Sequence, residues 1–287
     1  MTIITDPRCT EYSKPGHPER PQRVSRTLEK LKSQTDLPLQ WSEPIAVSDE
    51  IITRAHSKKL VQTLRRSEGD FDGDTPAYPN IQAHSQRSVG GALAALKVAR
   101  RGEMAFSLLR PPGHHATKER MMGFCYLNSM AITVLEALAS GFSRVAVFDF
   151  DVHHGNGTED ILLGQPHCAF HSVHQHPAYP GTGTESRDNC HNFPVAPSSP
   201  AARYRESCSR AMDQIVKFKP DLIAVSAGFD AYKRDPLCDQ QMDVEDYHWL
   251  GQSIRKLGVP TFSVLEGGYS NDLPELIFAY LKGLQGS

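Results

Sequence analysis

The 287-residue sequence has no strong charge of either sign: 31 Lys and Arg face 33 Asp and Glu, a formal net charge of −2. With no basic stripe, a nucleic-acid partner is not expected. No apolar run approaches the roughly 20 residues of a membrane span, so no membrane association is expected either. The six cysteines, Cys9, Cys125, Cys168, Cys190, Cys208 and Cys238, form no C-x-x-C pair. That argues against a disulfide framework and against a cysteine-built zinc knuckle, and makes a reducing, cytoplasmic location the expectation. The opening MTIITDPRC has neither the basic segment nor the apolar core of a secretory signal. Internal repeats and low-complexity segments are absent, as is any serine framed as G-x-S-x-G, the mark of a nucleophile elbow.

What the chain does have is alternation. Residues 1–19 carry Pro7, Pro15, Gly16 and Pro18 and read as loop. Helix is predicted from about Pro21 to Lys32, where Val24, Leu28 and Leu31 recur at helical spacing, and again from a Ser48-Asp49 cap through Ile52, Leu60 and Leu64. The acidic stretch 67–80, SEGDFDGDTPAYPN, reads as an exposed loop, a place where binding residues also sit. Helices are expected over His84–Arg101 and Cys125–Ser140, stopped by Gly102 and Gly141, then near Glu159–Leu163, Arg203–Lys217, Val244–Leu257 and Leu273–Leu284. The intervening strands are Met104–Leu109, Val145–Phe148, Cys168–Gln175 with alternating character, Asp221–Ser226 and Thr261–Leu265. Apolar strands alternating with such helices imply an α/β protein, a parallel sheet between two helical layers, in a single domain over 1–287.

Sheets of that kind place their sites beyond the carboxyl ends of the strands. The chemically unusual residues all lie there. His114-His115 follow one apolar strand, Asp149, Asp151 and His153 a second, Asp230 a third, and Gly267-Gly268-Tyr269 a fourth. In extended chain, residues 149, 151 and 153 point the same way. Two carboxylates and an imidazole together suit a borderline divalent ion such as zinc. Asp151, His153 and Asp230 would make three ligands with positions left open, the catalytic pattern. Taken alone, Asp230 is more simply a turn residue, the histidine pair a chance surface feature and Tyr269 a packed strand end; their shared position after four strands favours chemistry. The tandem histidines could then serve as general base and acid, and the Tyr269 phenol as donor to an oxyanion. A strand followed by D-x-D also opens aspartyl phosphatases. That alternative leaves the tandem histidines, Asp230 and Gly-Gly-Tyr unexplained.

These residues sit in longer stretches: HPERPQR (17–23), RPPGHHA (110–116), GFCYLN (123–128), DFDVHHGNGTED (149–160), PGTGT (180–184), SAGFDA (226–231) and LEGGY (265–269). Together and in this order they resemble the zinc-dependent histone deacetylase family, with its acetylpolyamine amidohydrolase relatives. The resemblance implies the arginase-like deacetylase fold, with a central parallel sheet of about eight strands. It implies one zinc per chain on Asp151, His153 and Asp230, with iron(II) as competitor. His115 would be general base and acid, His114 its electrostatic partner held by Asp149, and Tyr269 the group that polarises the amide carbonyl. Asn156 stands where some members have Asp beside the second histidine, which implies a lower His115 pKa. Phe124 and Tyr179 would wall an acyl-lysine channel, with Gly123 and Gly267 also at the substrate and Asp74 as a rim aspartate; many members have Phe where Tyr179 stands, so the rim is expected to be more polar. A structural potassium site would use Asp149, Ser172 and Val173, with the carbonyls of Asp151 and His153. Leu237 stands where polyamine-specific members carry Glu, which tilts the expected substrate toward acyl-lysine in a protein or peptide, with a small acetylated amine as the alternative. The chain is short for the family, which implies a stand-alone catalytic core.

Overall fold

Every residue of the strand Val145–Asp149 is buried, as its unbroken apolar run requires, because a strand covered on both faces has no polar side to present. In this computed structural model, which describes residues 1–286, it belongs to one sheet of eight parallel strands. In chain order these are β1 (Thr2–Ile4), β2 (Gln40–Ser42), β3 (Ala105–Ser107), β4 (Val145–Asp149), β5 (Cys168–Gln175), β6 (Cys190–Val195), β7 (Leu222–Ala227) and β8 (Thr261–Leu265). Their order across the sheet is β2-β1-β3-β8-β7-β4-β5-β6. The strands followed by the unusual residues, β3, β8, β7 and β4, are therefore consecutive in space. Four loops from distant parts of the chain meet at one edge.

Helices flank the sheet: α1 (Gln22–Ser33), α2 (Asp49–Ile52), α3 (Lys58–Arg66), α4 (Ile81–Ala99), α5 (Ser129–Ala139), α6 (Asn156–Leu162), α7 (Ala201–Phe218), α8 (Val244–Lys256) and α9 (Leu273–Gln285). α9 packs against α1 and α8, while α4 packs against α5, β3 and β8. No helix among the described residues is long and apolar enough to cross a membrane.

Several local expectations are corrected. Residues 2–4 are not loop but the buried strand β1, placed between β2 and β3. Three residues are too few to show a period, and prolines follow at once. β2 is exposed throughout and β6 carries Pro194; both are edge strands, where a missing apolar run or a proline is tolerated. The helix expected from Asp49 to Leu64 is two, because Ser57 caps a new start by accepting from the Leu60 amide at 3.1 Å. α5 begins at Ser129 instead of Cys125: the Asn128 side chain caps it, accepting from Ala131 at 2.8 Å, and 125–128 stay outside the helix. Strand β5 is buried along all eight residues and does not alternate, since its histidines hydrogen-bond inside the protein.

One buried ion-pair network fastens the amino-terminal stretch to the site. Arg110 is fully buried and donates to both Glu19 oxygens, from Nη2 at 2.7 Å and from Nε more closely. Arg23 Nη1 reaches Glu19 at 3.2 Å, and Arg23 Nε donates to the Gly268 carbonyl at 2.7 Å. Burial pushes the Glu19 carboxyl up, but Arg110 outweighs it and the net shift is downward. The stability this lends is therefore present above the ordinary carboxylate range and lost as pH falls through the lowered value. Glu19→Gln strands two buried guanidinium groups. Urea unfolding at pH 7 should show a loss of about 3–5 kcal/mol.

Candidate active site

At the carboxyl end of β4 the chain turns, and backbone amides take hold of the carboxylates. His153 N donates to Asp151 Oδ1 and Val152 N to Asp230 Oδ1, each at 2.9 Å. Gly267 N donates to Asp151 Oδ2 at 2.6 Å. A Cβ at residue 267 would collide with the carboxylates of both Asp230 and Asp151, so only glycine allows β8's loop this close. One donor atom each from Asp151, His153 and Asp230 lie within 4.8 Å of one another, and all three residues are buried. His153 Nδ1 points into this cluster, 3.3 Å from Asp151 and 3.1 Å from Asp230. Burial lowers the His153 pKa, but hydrogen bonds to those two carboxylates lift it well above its ordinary value. A ring nitrogen aimed at two buried carboxylates, which favour positive charge between them, fits a divalent cation that displaces the proton.

The histidine pair hangs from the loop after β3. Glu266, at the end of β8, accepts from the amides of Gly113 at 2.7 Å and His114 at 3.1 Å and so fixes that loop. His114 Nδ1 meets Asp149 Oδ2 at 3.1 Å, and His115 Nδ1 meets Asn156 Oδ1 at 2.8 Å. The two rings lie 4.0 Å apart. An amide oxygen only accepts, so His115 donates from Nδ1 and keeps a lone pair on Nε2. Burial pushes both histidines toward the neutral form. Asp151 and Asp149 reverse this for His114 and bring it to about 10. Nothing reverses it for His115, which burial, His114 and His153 push well below the usual range. The Asn156 bond raises His115, but too little to offset burial and the two neighbouring histidines.

A cavity of about 190 Å³ leads from the surface to this cluster, lined by Asp74, Gly123, Phe124, Tyr179, Leu237 and Tyr269 around His115 and His153. Phe124 stands edge-on to Tyr269 at 5.7 Å, and Tyr179 edge-on to His115 at 5.1 Å. Gly123 lies so near His115 that a Cβ there would sit 2.6 Å from the ring. Tyr179 and Leu237 are each 39% exposed and form the outer end. Burial and Asp72 raise the pKa of Asp74 at the same rim. Gly267 does not line this cavity; it backs the carboxylates.

Three supporting residues escaped the sequence reading. Asp235 accepts from Tyr269 N at 2.7 Å and Leu237 N at 3.0 Å, tying two walls together. Arg23 lays its guanidinium 4.8 Å from the Tyr269 ring centre. Cys238 Sγ lies 3.4 Å from His153 Nε2. A donor bond from Nε2 to that sulfur leaves Nδ1 free to ligate. Cys238→Ala should weaken zinc binding about tenfold, read by competition with a chromogenic chelator. Arg23 and Glu266 lie within the stretches HPERPQR and LEGGY, whereas Asp235 and Cys238 look like ordinary loop residues.

Of the residues expected at a potassium site, Asp149 and Ser172 are register partners on β4 and β5. Ser172 Oγ bonds His174 Nδ1 at 2.9 Å, and the Val173 carbonyl accepts from the Tyr204 hydroxyl at 2.8 Å.

A parallel sheet that brings a buried two-carboxylate, one-imidazole triad, a histidine pair and a tyrosine to the end of a narrow channel defines a hydrolase of amide bonds. The chain belongs to the histone deacetylase family, whose domain model matches residues 17–282. It is 37% identical to a probable deacetylase of Methanothermobacter thermautotrophicus, over 100% of this chain and 91% of that protein. The HD domain of HDA15 superposes with a TM-score of 0.92 at 28% identity, covering 100% of this chain and 91% of that one. An acetylpolyamine aminohydrolase from Burkholderia pseudomallei gives 0.91 at 26%, covering 99% and 98%. The protein is thus an enzyme of the deacetylase and amidohydrolase class.

Proposed function

We propose that the protein removes acetyl or other acyl groups from the ε-amine of lysine in proteins or peptides, using one zinc held by Asp151, His153 and Asp230. The observation that carries this reading is the 190 Å³ channel, which has His115, His153 and Tyr269 among its walls and only Leu237 and Asp74 beside aromatic residues toward its rim. A bound zinc would supply Lewis acidity, lowering the pKa of water to about 7 and polarising the acyl carbonyl. Neutral His115 takes the proton of the attacking water on Nε2 and returns it to the departing amine, so that water and amide become carboxylic acid and amine. His114, held by Asp149, lies with its ring 4.0 Å away and disfavours a second positive charge on His115. The Tyr269 hydroxyl donates to the acyl oxygen as that atom gains charge. Phe124 and Tyr179 hold the alkyl chain between their rings. Iron(II) suits the same donors. For the potassium ion, Asp149, Ser172 and the carbonyls of Val173, Asp151 and His153 offer only oxygen, as a hard cation requires. Six free thiols support a cytoplasmic location.

A second substrate reading, an acetylated polyamine or other small amide, is favoured by the near-complete overlap with the Burkholderia structure. Turnover of an acetyl-lysine peptide against acetylspermidine by zinc-loaded protein separates the two. The acyl-lysine reading expects the peptide to give the higher kcat/KM; a reversed order would establish the small amide, and no release of acetate from either would refute both.

A further inference from the structure

The catalytic channel is not the only concavity at its mouth. A groove of about 680 Å³ adjoins it and shares Leu237 and Tyr269 with it. Apart from Pro236, its remaining wall comes from the proline-rich stretch 13–22, which contributes Lys14, His17 and Arg20; among the described residues no carboxylate lines it. His17 stands at the border between groove and channel, with its ring 4.7 Å from Phe124 and its Nε2 3.1 Å from the Asp74 carbonyl. Arg20 spends a hydrogen bond on a neutral partner, the Asn271 oxygen at 2.7 Å. Lys14 reaches Asp70 at 3.3 Å, but both side chains are about half exposed, so that pair is weak and easily exchanged.

Because the two concavities share Leu237 and Tyr269, a substrate held in the channel would have this groove beside its outer end. A polyamine would bring further ammonium groups to two cations, whereas a carboxylate would meet opposite charge. We propose that the groove is a carboxylate subsite and that the preferred substrate is an acyl-lysine whose α-carboxylate is free, as a carboxyl-terminal residue or as the acyl-amino acid. This rests on the amide-hydrolase reading of the adjoining channel and narrows it.

The test compares kcat/KM of the zinc-loaded enzyme for four substrates: a short peptide ending in acetyl-lysine, the same peptide as its carboxamide, free Nε-acetyl-lysine, and monoacetylputrescine. The free carboxylate is expected to win over the carboxamide by about three- to tenfold at low salt, through KM, as befits one or two exposed charge pairs. The ratio should shrink at high ionic strength and fall toward one in the Lys14→Ala, Arg20→Ala double variant. The matched peptide acid and carboxamide decide the subsite; free Nε-acetyl-lysine, compared with the peptide acid, tells which source of the carboxylate is preferred. Equal rates for carboxylate and carboxamide, a ratio untouched by the double variant, or monoacetylputrescine as best substrate would overturn the subsite and leave the hydrolase reading standing. Failure of all four to release acetate would overturn the hydrolase reading and the subsite with it.

Discussion

His115→Ala is expected to keep its zinc and lose about 10²- to 10⁴-fold in kcat, the usual worth of a positioned general base. The ring touches none of the three ligands' donor atoms through a hydrogen bond; its own bond goes from Nδ1 to Asn156 at 2.8 Å. Its removal therefore leaves the carboxylate cluster and the amides that hold it in place. It does remove the buried neutral imidazole that lines the channel beside His153. Metal content by emission spectrometry and kcat on an acetyl-lysine peptide check this. Metal loss, or a rate within threefold of the parent, would mean that another group moves the proton.

Asp230→Ala should lose both metal and turnover. Two donors would remain where three converge within 4.8 Å, and His153 Nδ1 would lose its 3.1 Å partner. The truncation also strips the Val152 amide of its acceptor at 2.9 Å. An unpaired buried amide costs about 1–3 kcal/mol, so the melting temperature should fall as well. Asp230→Asn separates the two effects. Its amide oxygen still serves Val152 while the negative charge is gone, so this variant should stay near parental stability in the absence of zinc and show no detectable deacetylation. If Asp230→Ala purified with a full equivalent of zinc and turned over, the triad would not be the metal site.

Much of the site was legible because of one geometric regularity. In a parallel sheet every strand end faces the same edge, so polar residues placed just after apolar runs are brought toward one another whatever their distance in sequence. Asp151, His153 and Asp230 could be paired on that ground, and His114 with Asp149 once the family resemblance was seen. What lay beyond reach were residues that act through backbone atoms. Asp235 holds two channel walls by accepting amide protons, and Glu266 fixes the His114 loop in the same way. A carboxylate bound to a main-chain amide leaves no partner side chain to notice. The inner strand β1 and the edge strands β2 and β6 were missed for a related reason. Short or interrupted segments form strands only when a neighbouring strand supplies the pairing.

Sequence alone determined most of the alternation of strand and helix and, through its ordered motifs, the family. These depend on residue type and on periods of two and 3.6, which are local properties of the chain. Tertiary structure decided which way each histidine's pKa moves and what surrounds the channel mouth. His114 and His115 are neighbours in sequence with the same intrinsic chemistry, yet Asp149 and Asp151 raise one while burial and charge lower the other. Likewise Lys14 and Arg20 lie more than 200 residues from Leu237 in the chain and share a groove with it only through the fold. Electrostatic energies depend on distance through space, and that distance exists only after the chain has folded.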